Sequence, residues 1–93
     1  MINSITLTRH GRQRAAERAV PLSVIEMILD YGESRNARDG AQKYALSKAS
    51  LREVRRDFGA EVSSSLNRFR RTYVVSSNNA VITVAFAQRP LFH

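Results

Sequence analysis

The chain contains no cysteine and no tryptophan, and only two prolines and four glycines. Without cysteine there is no disulfide framework, no thiolate zinc cage and no thiol nucleophile. Histidine is nearly as scarce: His10 and His93 are too few for a His-rich metal site. The eight carboxylates are scattered and mostly stand near arginines, which argues against a Mg²⁺ cage. There is no glycine-rich phosphate loop, no dinucleotide fingerprint and no nucleophile motif around a serine; Ser63-Ser64-Ser65 reads as a polar helix or loop segment. No apolar run exceeds about four residues, far short of the ~20 of a membrane helix. Met1-Ile2-Asn3-Ser4 lacks the apolar stretch of a signal peptide. These absences lead to the expectation of a soluble, cytoplasmic protein with no metal, no cofactor and no membrane partner.

What is present is one small domain, residues 1–93, at 10.5 kDa. Its 43% hydrophobic content suffices for a single core. Fifteen Lys and Arg against eight Asp and Glu leave a net charge of +7, and thirteen of the fifteen cations are arginine. The guanidinium is a permanently charged, planar fork suited to phosphate. Such an excess points to RNA or another polyanion as partner, against the plainer reading of a solvated basic surface.

Thr8 is a candidate N-cap for a helix over Arg9–Ala19, whose Gly11, Ala15, Ala16 and Ala19 form a small-residue face. Pro21 opens a second helix over Leu22–Tyr31, with Val24, Ile25, Ile28 and Leu29 on its core face and Gly32 as its C′ residue. Arg38-Asp39-Gly40 reads as a turn between short strands at Ser34–Ala37 and Gln42–Leu46, the first an edge strand because it has little apolar content. Ser47 caps a third helix, with Ser50-x-x-Glu53 a second possible capping box and Leu51, Val54 and Phe58 at helical spacing. Gly59 either ends this helix or lies within it; Val62, Leu66 and Phe69 continue the pattern. Thr72–Ser77 and Ala80–Phe86 flank Asn78-Asn79 as a hairpin, with Ile82, Val84 and Phe86 on one face and Tyr73 and Val75 a further set on the partner strand. The expected architecture is α+β: two N-terminal helices, then a four-stranded antiparallel sheet of two hairpins with a helical segment between them.

His10, Arg14 and Arg18 recur at i, i+4 and i+8 on one side of the first helix, and Glu17 can pair with Arg14. An imidazole beside two guanidiniums offers a general base or acid next to phosphate-holding cations; the plain alternative is a solvated polar stripe. Lys48, Arg52, Arg55 and Arg56 share a face of the third helix, and with Arg9, Arg68, Arg70 and Arg71 they could track a nucleic-acid backbone. One reaction needs no metal and fits these groups: cleavage of RNA by its own 2′-hydroxyl, which asks only for a base, an acid and cations around the phosphorane.

The residues Ile5-Thr6-Leu7-Thr8-Arg9-His10-Gly11, Arg14, Glu17-Arg18 and the helix closing Leu29-Asp30-Tyr31-Gly32-Glu33 resemble a bacterial domain family of unknown function. That family is similar to the barnase–colicin–RelE superfamily of small metal-independent ribonucleases, many of them toxins of toxin–antitoxin pairs. The resemblance covers most of the chain, including Lys43-Tyr44, the basic helix after Ser47, and Thr72–Val75 with Ala80–Val84. It implies a RelE-like fold, ribonuclease activity with His10, Arg14, Arg18, Lys43 and Tyr73 in the catalytic set, and an acidic antitoxin as protein partner. A second class stays open beside it: a non-catalytic module that binds nucleic acid or an acidic protein through its helical cations.

Overall fold

The computed structural model describes residues Ile5–His93; the reading of Met1–Ser4 as lacking a signal sequence lies outside them. The described chain runs β1 (Thr6–Leu7), α1 (Arg9–Glu17), α2 (Leu22–Tyr31), β2 (Glu33–Asn36), a single 3₁₀ turn (Arg38–Gly40), β3 (Gln42–Ala45), α3 (Lys48–Phe58), α4 (Ala60–Asn67), β4 (Thr72–Ser77) and β5 (Ala80–Phe86). The domain is α+β. Its sheet has five strands in the order β1-β5-β4-β3-β2, not four. The expected hairpins β2–β3 and β4–β5 are both present and pair through β3–β4, all antiparallel. The additional strand β1 pairs in parallel with β5, so the sheet is mixed. Two residues are too few to show alternation, and this strand exists only because β5 offers an edge. No described helix is long and apolar enough to cross a membrane.

Local chemistry explains the element ends. The Thr8 hydroxyl accepts from the Gly11 N–H and caps α1. The helix stops at Glu17, short of Ala19, in a Schellman motif: the Val20 N–H donates to the Ala15 carbonyl at 2.9 Å and the Ala19 N–H to Ala16 at 3.2 Å. Ala19 therefore stands in the left-handed region at φ 53°, and it and Ala16 are exposed; only Gly11 and Ala15 of the small-residue face are buried. Ser47 and Ser50 cap α3 reciprocally, which makes Ser50 part of the first capping box and not the start of a second. Gly59, at φ 99° and ψ 170°, holds a conformation open essentially to glycine alone and divides the helical segment into α3 and α4. Gly32 is not a left-handed C′ residue: its φ is −69°, and glycine is needed there because a Cβ would stand 2.4 Å from the Ile28 carbonyl oxygen and 2.8 Å from that of Ala45. Asn78 and Asn79 both take positive φ, the two-residue primed turn that suits the twist of a hairpin.

The core is Ala15, Val20, Val24, Ile25, Ile28, Leu46, Val54, Leu66, Val74, Val81 and Val84, between the helices and one face of the sheet. Phe58, at helical spacing with Leu51 and Val54, is 55% exposed and meets Tyr31 edge-on at 6.0 Å between ring centroids. The closing strand departs from simple alternation. Val75 pairs with Thr83 but Ser76 pairs with Val81, so Ile82 is an extra residue, a β-bulge. The bulge lets Val81 and Val84, three apart, both enter the core while Ile82 goes to the opposite face. Ile82 and Val84 therefore do not share a face, and Phe86 is 51% exposed.

Replacing Ala19 by Gly should relieve a left-handed alanine without disturbing a contact. An increase of about 0.5–1 kcal/mol in unfolding free energy is expected, the left-handed penalty less the extra chain entropy of glycine. Chemical denaturation of both proteins measures it.

Candidate functional site

The polar stripe of α1 forms as a connected chain of side chains. Because Gly11 and Ala15 face β5, residues at the preceding positions, His10 and Arg14, lie beside the buried seam. The Arg14 Nε–H donates to His10 Nε2 at 3.3 Å, and Arg14 Nη1 pairs with Glu17 Oε1 at 2.9 Å. Gln13 Nε2 donates to the other Glu17 oxygen at 3.0 Å. The Gln13 amide, then Arg14, with Arg18 nearby, hold the Glu17 carboxyl below its ordinary range. In this contact His10 Nε2 is the acceptor. Arg18 ends the helix half-buried, within electrostatic reach of Glu17.

Lys43 and Tyr73 sit elsewhere, on the sheet face away from the core. Residues directly opposite across antiparallel strands share a face, so the register puts Arg35, Lys43, Val75 and Thr83 in one row and Tyr73 in the next. Arg35 and Lys43 are like charges in direct opposition, an arrangement that costs stability unless each finds another partner. Each turns onto a ring: Lys43 Nζ lies 4.7 Å from the Tyr73 centroid and the Arg35 guanidinium 5.9 Å from that of Phe92. Next to Lys43 is an open cleft of about 570 Å³ lined by residues including Asn36, Arg38, Asp39, Val75, Ser77 and Ile82. Two strand spacings, roughly 10 Å, separate β3 from β5, on which α1 packs. Among the described residues no hydrogen bond or ion pair joins the α1 chain to Lys43 or Tyr73. Arg35 and Arg38 are cations of this face that sequence reasoning passed over. The signal for Arg35 was available once β2 and β3 were registered about Asp39-Gly40.

The other cations differ in what holds them. Lys48, Arg52, Arg55 and Arg56 are exposed on α3, around the buried Ser50 and Val54, and Arg9 is exposed in the first turn of α1. Arg56 bonds Asp57 at 3.1 Å, and the Tyr31 hydroxyl donates to the same carboxylate at 2.6 Å. The Tyr31 hydrogen bond foremost, then Arg56, keeps the Asp57 carboxyl below its usual range; the same Asp57 bond raises the Tyr31 phenol. Arg68 lies over Phe69 at 5.3 Å. Arg70 and Arg71 are turned toward backbone carbonyls of the C-terminal segment. Among the described residues no group of three or more His, Cys, Asp or Glu side chains could hold a metal ion.

Comparison of the chain with protein-family models, with curated proteins and with solved structures returns no match. The site is therefore read from its own chemistry.

Two measurements check this geometry. Tyr31→Phe should move the Asp57 pKa up toward the ordinary carboxylate value, read by side-chain carbon NMR. Because the folded Asp57 pKa is depressed, its contribution is present above the unfolded pKa of about 3.9 and lost as pH falls through the folded value. The Tyr31→Phe protein should show less of that acid destabilisation. Separately, if the α3 cations hold a nucleic-acid backbone, replacing Arg52, Arg55 and Arg56 together by Ala should weaken RNA binding irrespective of its sequence and flatten the salt dependence, by about 0.7 in log–log slope per lost single-strand contact. An unchanged slope would mark the α3 stripe as a solvated face.

Proposed function

We propose that the protein is a metal-independent ribonuclease of the RelE and colicin type, with His10 as general base and Arg14 and Arg18 at the scissile phosphate. The observation that carries this reading is the His10–Arg14–Glu17 chain: an imidazole nitrogen 3.3 Å from a guanidinium that is tethered at its far end by a carboxylate. The chemistry follows from the donors. A phosphodiester is a better acceptor for the Arg14 Nε–H than an imidazole, because it brings a full opposite charge and can take two donors of the guanidinium fork at once. An arriving phosphate thus draws Arg14 from His10 and frees the Nε2 lone pair beside the substrate. Nε2 then takes the proton of the 2′-hydroxyl, the 2′-oxygen bonds to phosphorus, and the bond to the 5′-oxygen breaks as that oxygen takes a proton from water, leaving a 2′,3′-cyclic phosphate and a 5′-hydroxyl. Arg14 and Arg18 offset the charge of the phosphorane. Lys43 and Tyr73 serve the same RNA at a distance from His10, by charge and by stacking on the open sheet face. In this reading the protein acts in the cytoplasm as the toxin of a toxin–antitoxin pair, with an acidic antitoxin as its protein partner.

A second reading, a module that binds RNA or an acidic protein without cleaving, is favoured by a different observation. Glu17 already neutralises Arg14, while Arg52 and Arg55 stand exposed on α3.

Incubation of RNA with the protein in excess chelator separates the two. Cleavage should persist, leave cyclic phosphate ends, and fall at least ~100-fold in His10→Ala, the size of a general-base contribution. RNA affinity and folding of that variant should stay close to wild type. Cleavage that needs Mg²⁺, or that is unchanged in His10→Ala, rejects the ribonuclease assignment; retained binding with no cleavage selects the second reading.

A further inference from the structure

The residues after β5 have no regular secondary structure, yet they are held firmly. The Ala87 N–H donates to the Arg71 carbonyl at 2.8 Å, and Arg71 Nη1 reaches the Gln88 carbonyl at 3.5 Å. Arg70 Nη2 donates to the Phe92 carbonyl at 2.7 Å, the Arg35 guanidinium lies over the Phe92 ring, and the His93 carbonyl accepts the Lys48 N–H at 2.9 Å. Three arginines and the first turn of α3 thus converge on one six-residue strand of backbone, Gln88–His93, which contains no carboxylate side chain.

The Arg70 fork is half used. Nε and Nη2 lie on the same edge of a guanidinium and together match two oxygens of a phosphate or carboxylate. Here Nη2 holds a single carbonyl oxygen, and the Nε–H beside it is buried without a partner among the described residues. A neutral carbonyl is a poor occupant for such an edge. A phosphodiester, with two non-bridging oxygens, would satisfy both donors and bring the negative charge that Arg35 and Arg71 lack.

We propose that Gln88–His93 is a displaceable strap occupying the Arg70 edge of a phosphodiester-binding surface whose exposed members are Arg35 and Arg71, so that RNA binding and strap docking compete. This rests on the RNA reading above for the polyanion, but not on cleavage. The strap's carbonyls stand where phosphate oxygens would lie, and the Arg35–Phe92 contact is exchanged for an ion pair when the strap leaves. Arg35 on β2 and the Arg70-Arg71 pair just before β4 would then face one backbone.

The test is the affinity for a fluorescein-labelled twelve-nucleotide oligouridylate, by anisotropy at fixed low salt. Deleting Leu91-Phe92-His93 should tighten binding about tenfold, the gain expected if roughly nine in ten molecules have the strap docked. Circular dichroism checks that the shortened protein is folded. Phe92→Ala in the full chain, which loosens the strap without shortening it, should give a smaller gain in the same direction. Arg70→Lys in the shortened protein should remove most of the gain, because it keeps the charge and loses the fork. The proposal is overturned if neither strap variant binds the oligomer more tightly, if Arg70→Lys leaves the gain intact, or if the gain appears for polyglutamate and not for RNA. Loss of cleavage with these affinity changes intact would count against the ribonuclease reading alone.

Discussion

The structure hinges on how Val81 is held. Its side chain is 1% exposed in the core, while its carbonyl accepts both the Thr8 N–H at 3.0 Å and the Thr8 hydroxyl at 3.2 Å. The same carbonyl oxygen lies 2.3 Å from where a Cβ on Gly11 would stand. One peptide group thus fixes β1 alongside β5, sets the start of α1 and demands glycine in its first turn. The bulge at Ile82 makes this possible. Without the extra residue, Val81 and Val84 would point to opposite faces, and the helix layer would lose one of its anchors.

From that anchor follows the placement of every polar group on α1. With Gly11 and Ala15 pressed on β5, His10 and Arg14 are carried to the side of the seam, where they are accessible yet held by each other and by Glu17. The sheet's opposite face is the consequence of all four helices gathering on one side. It displays cations that an antiparallel register brings into direct opposition. Carboxylates are too few to neutralise them. The protein uses what else is at hand: the Tyr73 ring for Lys43, the Phe92 ring for Arg35, and backbone carbonyls for Arg70 and Arg71. Neutral partners orient a cation without cancelling its charge, so the surface stays positive.

Much of the architecture was legible because short-range chemistry decides it. Thr8 and Ser47 are side-chain acceptors at the right offset from an N–H, Asn78-Asn79 tolerates left-handed backbone, and Gly59 permits a conformation that other residues avoid. The weakly apolar Ser34–Ala37 stretch was readable as an edge, and β2 is one. Of the candidate site, the His10, Arg14 and Glu17 spacing on one helix was visible from the 3.6-residue repeat, and the structure links these three side chains.

By itself, then, the sequence determined the helices and the N-caps of α1 and α3, the two hairpins, the excess of arginine and the local grouping on α1, because each depends on residues within a few positions of one another; whether Gly59 breaks the third helix was settled by the fold. Only the tertiary structure decided the parallel strand β1, the bulge that sends Ile82 away from Val84, the exposure of Phe58, and the tight approaches that require Gly11 and Gly32. It also decided which cations hold the C-terminal segment. Those features join residues as far apart as Thr8 and Val81 or Arg35 and Phe92. Their energies arise from the meeting of surfaces, and no periodicity along the chain encodes which distant backbone group a side chain will meet.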